Sequence, residues 1–369
     1  MTDRGNENGS GRADDPDRED GTGREDGTGR EDGTGRREPG LAALVDKSRA
    51  EAAIESLREE GVYDDARSVA PHEEGRVALP VTEPPVGTDV REVIEADLPW
   101  RTRGLADLLR ERGWEDDEID RAPGSWTVVG SVVLVDVGDA PRPEEVGEAL
   151  LSLHGEADTV LARGGVSGTT REPDVEVLAG EGDTETVHTE HGIRYALDLA
   201  AVMFAPGNEA ERARMGEVVD EGERVFDMFA GIGYFTLPMA RAGAAVTATE
   251  VNPTAFRYLA ENAVLNGVED RISAFRADCR DVEVEAVDRV VMGYYDAWEY
   301  LDAALSALRP GGVVHLHEAT PEVELWDRPV SRLREAADER GREIEVLDRR
   351  VVKSHSPGVD HVVVDARVG

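Results

Sequence analysis

RVFDMFAGIGYF, Arg224–Phe235, decides the fold. Val225 and Phe226 form a short apolar run of the kind a sheet buries, and Asp227 closes it. Gly231 and Gly233 let the backbone turn tightly against a ligand, and a helix starts from Tyr234. Strand, acid, Gly-x-Gly turn and helix together make a phosphate- or nucleoside-binding corner. Read without a ligand, the same residues are an ordinary tight strand–helix turn. The fuller G-x-G-x-x-G of a dinucleotide fold is absent, because Phe235 and Thr236 follow Gly233 and Tyr234.

Downstream the pattern repeats. AAVTATEVNP (Ala244–Pro253) predicts a second strand, with Glu250 at its end, 23 residues after Asp227. That is near the spacing of about 20 residues at which an acid bonds a ribose diol. Asn252 suits a helix N-cap as well as a ligand contact, and Pro253 suits the first helical position. Phe256, Leu259, Ala260 and Ala263 predict the buried stripe of that helix. ISAFRADCRD predicts a third strand ending at Asp278, whose carboxylate could accept an exocyclic amino group. Cys279 beside it lines a ligand or simply packs; no nearby histidine would activate it. DRVVMGYYDAWEYL (Asp288–Leu301) is the fourth strand, with Met292, Gly293 and Tyr294 at its carboxyl end, where open parallel sheets bind ligands. These three are the acceptor-facing candidates, although Tyr294, Tyr295 and Trp298 also suit plain packing.

The alternation of strands and helices continues to the C-terminus and closes with EIEVLDRRVV and DHVVVDARV, an antiparallel pair. The expected fold is α/β, a mostly parallel sheet with helices on both faces, preceded by small α+β domains. His315 and His317 alternate on one strand and read as structural; without a third ligand they predict no metal site. Lys353, beside SHSPG, is a weak phosphate candidate.

Upstream, residues 1–40 carry REDGTG three times in tandem and almost no large apolar side chain, which predicts a disordered tail. Residues 41–85 read as a small α+β module: a helix from LAALVDKSRAEAAIESLREEGVY, stopped by Gly61, and the strand RVALPV. Residues 91–207 read as a mixed α/β middle domain and 208–369 as the catalytic domain.

The 369 residues carry 79 acids against 41 bases, a net charge of −38. Only Lys47 and Lys353 are lysines; the other 39 bases are arginines, a balance resembling proteins of extreme halophiles. Such a charge opposes phosphate binding, but molar salt shortens the Debye length to about 3 Å, so a nucleic-acid substrate is not excluded. One cysteine excludes an internal disulfide framework and a zinc ribbon. With no apolar span and no secretory h-region, a cytoplasmic protein is expected, with no membrane partner.

The glycine turn, the ribose acid, the adenine acid and the acceptor loop, in that order, resemble class I S-adenosylmethionine (SAM)-dependent transferases. That resemblance implies a Rossmann-like sheet of seven strands. HTEHGIRYALDLAAVMFAPGNEAERARM with VFDMFAGIGYFTLPMA, and VVKSHSPGVDHVVVD near the C-terminus, are similar to the archaeal and eukaryotic tRNA position-37 transferases. The similarity covers Trp126–Gly369, and the 41–85 module resembles the family's small tRNA-contacting domain. It implies SAM as co-substrate and the anticodon loop of tRNA, with phenylalanine tRNA as partner. The cofactor-contacting set becomes Ala205, Arg212, Asp227, Phe229, Gly231, Gly233, Glu250, Asn252, Asp278 and Cys279, with Arg212 offering a fork to the donor carboxylate.

Within the family, the methyltransferases carry Asn-Leu-Pro or Asn-Pro-Pro where this chain reads Met292-Gly293-Tyr294. They carry Arg where it has Thr189, and an Arg-Leu pair near Pro206-Gly207-Asn208. These departures resemble the branch that moves the 3-amino-3-carboxypropyl group of SAM to carbon 7 of 4-demethylwyosine in wybutosine synthesis. No general base is identified, and a monomer is expected. The alternatives are a guanine-37 N1-methyltransferase and a non-catalytic SAM-fold scaffold for RNA.

Overall fold

The computed structural model describes residues 40–101, 103–167, 172–284 and 286–369. The expected tail, residues 1–40, lies almost entirely outside them. The chain divides into a compact unit ending at Thr102 and a second, Arg103–Gly369.

In the first unit, β1 (Leu41–Asp46) leads through one 3₁₀ turn to α1 (Ala50–Glu59). β2 (Ala70–His72), β3 (Arg76–Val81) and β4 (Glu92–Glu95) follow, and the sheet order is β2-β3-β1-β4. The helix expected from Leu41 is therefore a strand over its first six residues. LAALV is continuous because β1 is covered on both faces. Ala43 and Val45 pack with Leu57 of α1, while Ala42 and Leu44 pack with Ala78 and Leu98. A five-residue apolar run has no period that separates a buried strand from a helix. The unit also passes residue 85, because β4 pairs with β1.

The second unit opens with α2 (Leu105–Glu111) and α3 (Asp116–Ile119). β5 (Trp126–Val129), β6 (Val132–Val135), α4 (Pro143–Leu153), β7 (Thr159–Ser167) and β8 (Glu172–Gly180) then make a four-stranded sheet with α4 against it. The hairpin β9 (Glu185–Glu190) and β10 (Ile193–Asp198) follows. After it come α5 (Glu209–Val218), β11 (Arg224–Asp227), α6 (Thr236–Arg241), β12 (Ala245–Thr249) and α7 (Pro253–Leu265). The chain ends with β13 (Ile272–Phe275), β14 (Val287–Met292), α8 (Leu301–Ala307), β15 (Leu308–Pro321), α9 (Asp327–Asp338), β16 (Ile344–Ser356) and β17 (Val359–Val368).

β11 to β17 form the expected seven-stranded sheet, ordered β13-β12-β11-β14-β15-β17-β16. The pairs among β11–β15 are parallel, and those of β17 with β15 and β16 are antiparallel. Alternate residues feed two cores. Val225, Val246, Ala248 and Val291 pack with α6, α7 and β10, while Phe226, Val290, Met292 and Leu316 pack with α8 and α9.

The hairpin β9–β10 lies before the boundary expected at residue 207, yet it packs against α7. Asn262 Oδ1 accepts the Ala196 N–H at 2.7 Å, and Asn266 Oδ1 accepts the Arg194 N–H at 2.8 Å. The buried face of α7 is consequently Ala255, Tyr258, Leu259, Asn262 and Ala263, one step away from the expected stripe. Ala260 is exposed. An asparagine that satisfies a neighbouring strand cannot be seen in a hydrophobic pattern.

Candidate active site

Strand order reverses between β11 and β14, and the crevice outside the carboxyl ends of such strands is where ligands bind. A cavity of about 480 Å³ lies there, within the range of about 300–1,000 Å³ usual for small-molecule sites.

Its floor is the turn after β11. Gly231 sits at φ +57, where a side chain is strained. Its N–H donates to Glu250 Oε2 at 2.8 Å, and the Asn252 N–H donates to Glu250 Oε1 at 2.7 Å. Burial raises the Glu250 pKa, opposed by these backbone donors. The carboxylate is thus aimed by the backbone, and each oxygen keeps a lone pair for a hydroxyl. Asn252 caps α7 by accepting from Thr254 and Ala255, and it also lines the cavity, so both of its readings hold geometrically.

The next wall follows β13, which stops at Phe275, three residues before the expected Asp278. Asp278 instead caps a 3₁₀ turn over Cys279–Asp281. Arg280 grips its carboxylate from two sides, at 2.9 and 2.6 Å, and this bonding lowers its pKa. The Arg280 guanidinium lies 4.6 Å over the Tyr300 ring. Burial, then Asp278, pushes the Cys279 thiol up to about 12, so it lines the wall as a protonated thiol. Phe229 stands edge-on to Tyr300 at 5.0 Å and beside Tyr294 at 5.3 Å, an aromatic wall suited to a base.

Ala205 and Arg212 close the side under α5. The Arg212 fork is engaged internally, with Nε 2.6 Å from Glu190 Oε2 and Nη2 2.7 Å from Glu190 Oε1. Its third donor, Nη1, holds the Ala205 carbonyl at 2.9 Å. The expected free fork is therefore a support for the Ala205 wall.

Ten expected residues meet in this lining: Ala205, Arg212, Phe229, Gly231, Glu250, Asn252, Asp278, Cys279, Gly293 and Tyr294. Three do not. Asp227 is fully buried and accepts the Thr236 hydroxyl at 2.6 Å; burial moves its pKa up to about 6 against that hydrogen bond. Gly233 packs under Leu237 and Leu259. Met292 points into the core beside α8. Reading the residues missed Arg280 and Tyr300, which follow the third and fourth strands without a motif. It also took His317 as purely structural, and His361, inside the C-terminal stretch similar to the transferases, was given no role; both border the cavity. Among the described residues, no cluster of His, Cys, Asp and Glu is arranged to hold a metal ion. No helix there is long and apolar enough to cross a membrane.

Residues 186–347 match the family described as the TRM5/TYW2 methyltransferase domain, and residues 105–184 match the TYW2 N-terminal domain. The tRNA(Phe) (4-demethylwyosine(37)-C(7)) aminocarboxypropyltransferase of Pyrococcus horikoshii is 40% identical over 276 residues, 73% of this chain and 99% of that protein. The solved structure of P. horikoshii TYW2 in complex with MeSAdo is 37% identical, with a TM-score of 0.64, covering 71% of this chain and 97% of that one. The structure of Trm5b from Pyrococcus abyssi is 33% identical, with a TM-score of 0.69, covering 89% of this chain and 99% of that one.

Proposed function

This chain belongs to the TRM5/TYW2 family, and from that premise we propose that it is a tRNA-modifying aminocarboxypropyltransferase. It transfers the 3-amino-3-carboxypropyl group of SAM to carbon 7 of 4-demethylwyosine at position 37 of tRNA(Phe) and releases methylthioadenosine. The first compact unit contacts the tRNA, and the enzyme works in the cytoplasm as a monomer.

The cavity fits such a donor. Glu250 takes the ribose diol, and Asp278, fixed by Arg280, takes the adenine amino group beside the Phe229–Tyr300 aromatic wall. Arg212 acts through the Ala205 wall. SAM has three electrophilic carbons around its sulfonium, and the one held in line about 3–3.5 Å from the nucleophile reacts. The observation that carries the choice is the end of β14 and the residue after it. Met292 is buried in the core, and Gly293 leaves no room for a side chain, since a Cβ there would lie 2.6 Å from the Phe235 ring. No amide is presented at this point to fix a guanine edge for attack by N1. The methyl stays covered and the amino-acid arm faces the acceptor.

The second reading, a guanine-37 N1-methyltransferase, is favoured by the 89% of this chain that the Trm5b structure covers. An RNA-binding scaffold has no use for carboxylates aimed into a cavity. SAM labelled in the methyl or in the carboxypropyl carbons, given with precursor tRNA, decides the matter. Carboxypropyl label in the tRNA with methylthioadenosine released is expected; methyl label there reverses the assignment.

A further inference from the structure

β15 and β17 carry two histidines to the far end of the cavity. His317 is one residue beyond Leu316, which pairs with Met292 at the end of β14, and His361 pairs with Ala319. The ribose acid, Glu250, follows β12, three strand spacings from β15 in the sheet order. That is about 14 Å, so a donor with its nucleoside at Glu250 leaves this end to the acceptor.

The two rings bond to each other, His317 Nδ1 to His361 Nε2 at 3.1 Å. His317 Nε2 and His361 Nδ1 then have no hydrogen-bond partner among the described residues. Both side chains are at least 98% buried, so the orphaned nitrogens are costly unless something bonds them. A neutral imidazole has one donor and one acceptor nitrogen. Whichever ring donates across the pair, one outer nitrogen is therefore a lone pair and the other an N–H. Of the wall's two carboxylates, Glu250 is aimed by backbone donors at the ribose position, and Asp278 is held by Arg280.

We propose that the His317–His361 pair is the proton acceptor of the transfer reaction, taking the hydrogen from the acceptor carbon. This rests on the function proposed above. The ring carbon uses its π pair to form a bond to the donor's methylene carbon. The carbon–sulfur bond breaks with its pair to sulfur, and neutral methylthioadenosine leaves. The positive charge now sits on the tricyclic base, whose sp³ carbon still holds its hydrogen. That C–H pair returns to the ring as the proton moves to the free imidazole nitrogen, and the imidazolium later releases it to water. Such an adduct is a strong acid, so a weak base suffices. Burial, with Arg350 next, holds the His317 pKa below the usual imidazole range, and burial, with His317 next, does the same for His361. Both are consequently unprotonated and ready at neutral pH.

His317→Asn and His361→Gln each keep an amide at the nitrogen of the pair bond and remove the outer one. SAM affinity should stay within about twofold of the parent, while single-turnover transfer to precursor tRNA should fall about 100-fold or more. A primary isotope effect should also appear with deuterium at the acceptor carbon, as proton removal becomes limiting. Rates within about threefold of the parent in both variants overturn the proposal. So does a slow rate with no isotope effect, which marks a structural role. Should both variants lose SAM binding, ¹⁵N-histidine spectra of the parent decide. Precursor tRNA with methylthioadenosine should shift the ring signals of these two histidines, and unshifted signals overturn the assignment. Carboxypropyl label delivered by the parent, alongside unimpaired variants, rejects this assignment alone; methyl label rejects the underlying function as well.

Discussion

Arg212 and Glu190 form a two-point ion pair at 2.6 and 2.7 Å, with only 3% and 5% of their side-chain surface exposed. Burial alone would raise the Glu190 pKa. Bonds from His188 and Arg212 overcome it, and the net shift is downward. A depressed carboxyl stabilises the fold above its unfolded value of about 4.3, and that contribution is lost as pH falls through the folded value.

Arg212→Ala leaves the buried Glu190 carboxylate without its cation and with only the His188 ring beside it, so unfolding stability at pH 7 should drop by about 3–5 kcal/mol. Replacing both partners by leucine should cost far less, because no charge is left unpaired. Urea titrations of the two variants measure this. A double variant as unstable as the single one would show that the charge pairing is not what matters here.

Gly293→Ala acts on the cavity directly. The added methyl would sit 2.6 Å from the Phe235 ring, which is itself packed at 5% exposure. The ring, which lines the cavity, must shift to make room. We expect a stability loss of about 1–3 kcal/mol and SAM affinity weakened by about tenfold, equal to about 1.4 kcal/mol. Calorimetric binding at equal folded concentration checks it, and unaltered affinity would mean that the ring yields elsewhere.

Asp227→Asn tests a buried acid. Its pKa rises from 3.8 to about 6, chiefly through burial, with the Thr236 hydroxyl opposing. The native state therefore binds this proton more tightly than the unfolded chain does. Stability falls as pH climbs from about 4 to 6 and is flat beyond, a penalty of about 3 kcal/mol. The asparagine form escapes it. Its melting temperature relative to the parent should rise between pH 4 and pH 7.5, and a difference independent of pH would remove the ionisation argument.

The chain order of the catalytic unit was legible because each strand ends in a chemically distinct residue. Asp227, Glu250 and Gly293 all lie where the pattern puts strand ends, whereas β13 stops at Phe275 and Asp278 follows on a 3₁₀ turn. LAALV was misread because a strand covered on both faces loses its alternation. The stripe of α7 was misplaced because Asn262 is buried for its amide, which a scale of apolarity ranks as surface.

Alone, the sequence determined the parallel sheet, the glycine turn and the acids flanking it, since these depend on contacts within a few dozen residues. Only the tertiary structure decided that Arg212 spends its fork on Glu190, across β9 and α5. It alone decided that His317 and His361, 44 positions apart, share a hydrogen bond at the cavity wall. Pairing across a sheet is set by strand order and register, and neither is written in the local spacing of residues.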